Sequence, residues 1–363
     1  MPSGIPLFQR SCPSGNLLGL GTGHQVRAMR LGAMKTPLVP PFSLGHFLGT
    51  DFGASHRGEN SNWRMLLMMA RVAGWLCLTV AVLGALTTSS TEASQVHEGS
   101  VHWMTNYRDA MRAAREQQKM LFILFSDSEN PQVAEVYEEK SLAPELSQEL
   151  IDRYVWLKVG TDATIDVEGQ PQRLLAHAAF AEMQNREGIA VVDLENTQAK
   201  HYGYVVSQFP FKRGTYYGRT KTEVILSLPP GSLTQRTMVF AVRIHPEGPQ
   251  STFGEPNNVL LAEAEAQSRY QAQIGVQGHH SWESRFHRIN ARLPGGLRSQ
   301  EVVAESWPGK TLVDACIDCV DSWRQSSGHW GAVRRRQPLF GFDIKRGRNG
   351  IWYATGIFGN RGS

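Results

Sequence analysis

Six consecutive apolar residues, Met120-Leu121-Phe122-Ile123-Leu124-Phe125, follow directly on Lys119. A continuous apolar run of that length fits a strand buried on both faces. Such a strand needs helices on either side to cover it. The flanking residues supply the pattern. Trp103, Tyr107, Ala110, Met111 and Ala114 recur at helical spacing before the run. Helical patterns follow around Val133 to Tyr137 and from Leu146 to Ile151. Tyr154 to Val159 reads as a second strand, Leu174 to Met183 as a helix, and Ile189 to Leu194 as a third strand. Strands alternating with helices indicate an α/β layer fold.

The chain ahead of this region reads differently. Residues 1–64 are rich in Gly, Pro and Ser and show no sustained period of two or 3.6. They have no evident means of burying a core, so they are expected to be disordered, or to be an extension from a start placed too early. Met65, Met68 and Met69 are alternative starts. Arg71 then precedes an apolar run from Val72 to Leu86, interrupted by Thr79, and a Thr/Ser stretch ends at Thr91-Glu92-Ala93. A charged start, a short apolar middle and small residues before a cut form a secretory signal peptide, here over 65–93. The run is short for a membrane span, which needs about 20 residues. An uncleaved anchor is the alternative. The expectation is a secreted, periplasmic or cell-envelope protein with no stable span after cleavage.

Residues 95–228 resemble the thioredoxin-like proteins, whose first helix carries Trp, Ala, Ala and Lys before the first strand. Trp103, Ala110, Ala114 and Lys119 stand in that order. The family's redox centre is a Cys-x-x-Cys at the start of the next helix, where the thiol pKa is lowered. This chain has Ser126-Asp127-Ser128-Glu129-Asn130-Pro131 instead. It also lacks a proline before the third strand, where Ile189 and Ala190 stand. The resemblance therefore implies a thioredoxin-like scaffold without redox chemistry. Asp127 and Glu129 read as solvated acids at a helix start.

Residues 229–257 are punctuated by Pro229-Pro230-Gly231, Pro246, Gly248, Pro249, Gly254 and Pro256. They read as a linker, with Met238 to Ile244 as a strand inside it. Asn257 or Asn258 can cap a following helix, with Leu260, Leu261, Ala264 and Tyr270 on its apolar face. A second helix is expected from Ser281 to Ala291, ended by Pro294-Gly295-Gly296. Leu312, Ala315, Cys316, Cys319, Val320 and Trp323 then form an amphipathic stripe. The chain closes on two strands about Asn349-Gly350, a favoured hairpin dipeptide.

Three pieces of this C-terminal region stand in a telling order. They are His280-Ser281, then Glu301-Val302-Val303-Ala304, then Trp323-x-x-Ser326-Ser327-Gly328-His329. Ile351 to Phe358 follows as a closing aromatic strand. The order resembles the CAP superfamily of cysteine-rich secretory, antigen 5 and pathogenesis-related proteins, and its bacterial SCP-like members most. The resemblance implies an α-β-α sandwich over 258–363. It also implies a cleft lined by two His and acidic residues that binds divalent metal in some members. His280, Glu301 and His329 map onto that cleft, with His279 and Glu305 as alternatives. The second acid of the family maps onto Ser326, so the set is a triad. Two His and a carboxylate suit zinc. A hydrogen-bond network that only holds the loops is the other reading.

Cys316 and Cys319 form a Cys-x-x-Cys in mid-helix. Buried thiols, an oxidised pair and a metal or redox pair are all open. A zinc site would need two further ligands, and a redox pair prefers a helix start. The net charge of +4 over 363 residues gives no case for nucleic acid, and Arg334-Arg335-Arg336 is the single basic run. The expected function is an exported two-domain binding protein whose CAP-type cleft takes an extracellular or envelope ligand. A metal-dependent, peptidase-like hydrolase at the same cleft is the alternative.

Overall fold

A computed structural model describes residues 101–142, 146–167 and 169–361. The leader read over 65–93 and the extension over 1–64 lie outside the described residues. All described residues fall in one compact unit.

The first half is built on a mixed sheet. Its elements are β1 (Trp103–Met104), α1 (Tyr107–Gln117), β2 (Met120–Ser126), α2 (Gln132–Tyr137), α3 (Gln148–Asp152) and β3 (Tyr154–Gly160). A small hairpin of β4 (Thr164–Val167) and β5 (Gln170–Arg173) follows, then β6 (Gly188–Val192), β7 (Val205–Pro210) and α4 (Arg219–Leu226). The sheet order is β1-β3-β2-β6-β7. β1, β3 and β2 are parallel; β6 runs antiparallel to β2, and β7 antiparallel to β6. Every residue of β2 is buried. Leu121, Ile123 and Phe125 face Ala110, Ala114, Phe180 and Met183 on one side, while Phe122 and Leu124 join the core on the other. Such alternation is what a pleated strand imposes. The α/β class expected from the sequence is the class the chain adopts. The 174–183 stretch forms two short 3₁₀ turns with a kink at Phe180 rather than an α-helix.

The segment expected as a linker is instead a core element. α5 spans Leu233–Arg243, opened by a capping box in which Ser232 and Gln235 bond each other's backbone N–H. The expected strand over 238–244 is thus helical. Met238, Val239, Phe240, Ala241 and Val242 are all buried, because α5 packs on both halves at once. Phe240 meets Phe209 of β7 with ring centroids 4.5 Å apart. Arg236, also buried, donates to Ser207 Oγ (2.9 Å) and to the carbonyls of Leu228 (3.0 Å) and Pro229 (2.9 Å). One continuous core therefore runs from Phe122 and Trp156 through Phe240 to Trp323 and Phe342.

The second half holds β8 (Glu255–Pro256), α6 (Asn258–Ile274), α7 (Trp282–Asn290), β9 (Leu297–Glu305), α8 (Leu312–Arg324), α9 (Ser327–Arg334), β10 (Leu339–Arg346) and β11 (Trp352–Arg361). Its sheet order is β8-β10-β11-β9, with β11 antiparallel to both β10 and β9. α6 and α7 cover one face through Leu260, Ala264, Ile289 and Ile357. α8 and α5 cover the other through Trp323, Val302, Ala304 and Phe342. Arg346 pairs with Trp352, so the turn spans residues 347–351 and contains the Asn349-Gly350 pair. Cys316 and Cys319 are free thiols at 0% exposure in the α8 stripe. Burial pushes both thiols well above their ordinary pKa.

Candidate functional site

α6 ends at Gly275, which adopts a left-handed conformation (φ +69°) that suits glycine. The chain then turns toward β9 instead of continuing outward. Two buried glutamines one helical turn apart on α6 fix where it goes. Gln267 Nε2 donates to the Gly278 carbonyl (2.8 Å), and Gln271 Oε1 accepts from the Gly278 N–H (3.0 Å). Gln271 is itself held by its Nε2 donating to Thr355 Oγ1 on β11 (2.9 Å). With Gly278 clamped on both sides, His279 is presented to the sheet.

His279 Nδ1 lies 2.9 Å from Glu301 Oε1. Glu301 sits in β9 with its side chain 1% exposed, and its other oxygen is bonded by Arg285 of α7. Arg285 lies over the Trp282 ring at 5.3 Å and donates to the His280 carbonyl (3.3 Å). A carboxylate held by a guanidinium accepts only, so His279 Nδ1 donates to Glu301, and in the neutral imidazole the lone pair is then on Nε2. That Nε2 faces His329 Nε2 at 3.4 Å, with ring centroids 5.6 Å apart. Burial lowers the His329 pKa, and the neighbouring His279 lowers it further.

His329 is carried in the first turn of α9, and its neighbour anchors that helix. Trp330 Nε1 donates to Glu247 Oε2 (3.0 Å), its ring packs on His245 (4.7 Å between centroids), and Arg324 lies over it at 5.7 Å. His245 and Glu247 follow α5 directly. The connection between the halves therefore supports the helix that bears His329.

The structure brings His279, Glu301 and His329 together. His280, the first choice from the sequence, turns away. Its Nε2 is 3.1 Å from the Val276 carbonyl and its ring packs edge-on to Tyr270. Ser281 is left-handed (φ +52°), and adjacent side chains in this tight bend diverge, so only one of the two histidines can face β9. Glu305 is exposed at the end of β9, about 13 Å along the strand from Glu301 at the usual rise. Ser326 occupies the N-cap position of α9 with no capping bond from its side chain. Glu301 stands behind His279 rather than beside both imidazoles, so the His280–Glu301–His329 ligand set does not form. Among the described residues no group of three or more His, Cys, Asp or Glu side chains is arranged to hold a metal ion.

Gln267, Gln271, Arg285 and Trp330 escape the sequence reading. The glutamines do leave a signal, since polar residues four apart on the core-facing side of α6 need partners.

No protein-family description and no curated protein matches this chain. Among solved structures, an outer surface protein from Borrelia burgdorferi is similar at 18% identity over 30% of this chain and 78% of that chain. Its TM-score of 0.24 is too slight to bear on fold or function. Among the described residues no helix is long and apolar enough to cross a membrane.

Proposed function

We propose that the chain is an exported binding protein. In this reading a thioredoxin-like half without redox chemistry supports a CAP-type half, whose His279–His329 pair takes a divalent metal such as zinc. One observation carries it: two imidazole Nε2 atoms face each other at 3.4 Å. Two nitrogens on one tetrahedral zinc, each at about 2.0–2.1 Å, stand about 3.3 Å apart. An N–H on one ring can bridge the pair as a hydrogen bond, and a divalent cation can take the place of that proton. Glu301 then serves as the carboxylate that orients a ligating histidine, a part found behind many metal sites. The helix layers on both faces of the second sheet, and the order His279, Glu301, Trp323-x-x-Ser326-x-Gly328-His329, support the family reading.

His279 and His329 would hold the ion, leaving coordination positions for donor groups of an extracellular or envelope ligand. When bound, the ion supplies Lewis acidity to such a donor. Binding is favoured over hydrolysis because Glu301, the carboxylate at the pair, is committed to His279 and Arg285. Equilibrium dialysis against zinc tests the proposal, with peptidase activity followed on the same samples. Wild type and His280→Ala should bind one zinc, while His279→Ala and His329→Ala should not. Equal binding by all four proteins would refute the assignment. Zinc-dependent peptide cleavage lost in His329→Ala would replace binding with hydrolysis.

A further inference from the structure

A buried acid and a lysine that the histidine pair does not use meet where α5 adjoins β10. Asp343 and Lys345 stand two apart on β10, so their side chains lie on one face of the strand. Asp343 is fully buried, and its Oδ2 lies 2.9 Å from Lys345 Nζ without the alignment of a hydrogen bond. Its Oδ1 accepts from the Thr234 hydroxyl of α5 (2.5 Å), and that hydroxyl accepts from Lys345 Nζ (3.1 Å). The Asp343 backbone carbonyl accepts from Ser268 Oγ of α6 (2.9 Å). Glu265, also on α6, places Oε1 3.8 Å from Lys345 Nζ. An amine, a carboxyl group, a hydroxyl donor and a second acid are thus held in one place by three elements.

The surroundings favour condensation over a lasting ion pair. Two charges at this depth lose more hydration than their attraction returns unless every group is well bonded, and Asp343 Oδ2 is not. Burial raises the Asp343 pKa despite the ammonium beside it, which favours the neutral acid. Glu265 has Arg269 (2.6 Å) and Lys200 (3.3 Å) as further cations, so its charge does not depend on Lys345. Groups held in contact react at effective concentrations far above those in solution. The Lys345 side chain is 24% exposed, which leaves a way out for a small leaving group.

We infer that Lys345 and Asp343 condense into an intramolecular amide. A proton first passes from Lys345 Nζ to Asp343 Oδ2, leaving a neutral amine and a neutral carboxyl group. Nζ then attacks Cγ, and the Thr234 hydroxyl stabilises the charge that develops on Oδ1. The Nζ–Cγ bond forms and the Cγ–Oδ2 bond breaks. Oδ2 leaves as water, carrying the first proton and a second one that Glu265 relays from Nζ. The ion pair becomes one neutral amide and one water, with no net proton released and nothing oxidised or reduced.

The test denatures the folded full-length protein, digests it with trypsin and reads the masses of the peptides. In wild type the chain should resist cleavage after Lys345, and peptide 337–346 should be lighter than its sequence by one water, with fragmentation confining the loss to 343–345. Lys345→Arg, which keeps the charge and removes the nucleophile, should give the peptide at its full mass. In freshly synthesised protein sampled over time, Glu265→Gln should form the linked peptide about 100-fold more slowly than wild type, the effect of losing a proton relay. Wild-type peptide at full mass and cut after Lys345 overturns the inference and leaves an ion pair. Water loss that persists in Lys345→Arg also overturns it, since Asp343 would then have closed on its own backbone. Equal rates in Glu265→Gln and wild type would overturn the relay.

Discussion

Replacing Glu301 by Gln keeps the shape of the side chain and removes its charge. The structure sets the cost. The Glu301 side chain is 1% exposed and Arg285 is 8% exposed, so the variant leaves a guanidinium buried without its counter-ion. Removing one partner of a buried pair costs about 3–5 kcal/mol. Arg285 retains the His280 carbonyl and the Trp282 face, and His279 is 43% exposed, which place the loss near the lower end. A loss of about 3 kcal/mol moves a urea midpoint by about 1–1.5 M for a slope of 2–3 kcal/mol/M. The amide can still accept from His279 Nδ1, but its NH₂ meets the donors of Arg285. Zinc affinity should therefore fall about 10–100-fold, as for other groups that orient a ligating histidine. Urea unfolding and zinc titration of E301Q, R285M and the double variant provide the assay. The double variant should recover at least about 1 kcal/mol of the summed losses, since the residues act as a pair. If E301Q costs under about 1 kcal/mol and binds zinc as wild type, Glu301 does not organise the site.

Three further outcomes follow from the structure. Arg236→Met should destabilise the protein by about 2–4 kcal/mol, because the Leu228 and Pro229 carbonyls lose their donor, and heat should melt both halves in one transition; two separated transitions would show that α5 does not join their cores. Cys316 and Cys319, buried and with raised pKa, should resist alkylation until the protein is unfolded, as read by mass spectrometry of their peptides. His329 has a folded pKa below its unfolded value of 6.5, so the unfolded chain binds the proton more readily; metal-free protein should lose stability as pH falls below about 6.5, and His329→Gln should flatten that slope.

What is legible in the sequence follows from burial that is simple in kind. β2 is covered on both faces and so is apolar throughout. α8 is covered on one face and so shows a stripe from Leu312 to Trp323. α5 defeats both patterns, because a helix packed between two halves is apolar over Met238–Val242 and mimics a buried strand. β9 does not read as a strand from its residues. Its first half, with Arg298, Ser299, Gln300 and Glu301, is polar because those residues serve the site and the edge of the sheet. The candidate site is legible as an order of motifs. The choice between His279 and His280 is not, since it depends on bonds from Gln267 and Gln271 to a backbone turn. Arg285 reads in the sequence as an ordinary basic residue on a polar helix, and its burial on Glu301 comes only from the packing of α7 against β9.

The central claim is that the paired imidazoles form a metal site ordered by Glu301. Anomalous diffraction from crystals grown with zinc, recorded on either side of the zinc absorption edge, addresses it directly. The account predicts one strong peak between His279 Nε2 and His329 Nε2, with Glu301 behind His279 and outside the coordination shell. A peak on His280, or crystals in which the two imidazoles stay in place at saturating zinc with no peak between them, would contradict it.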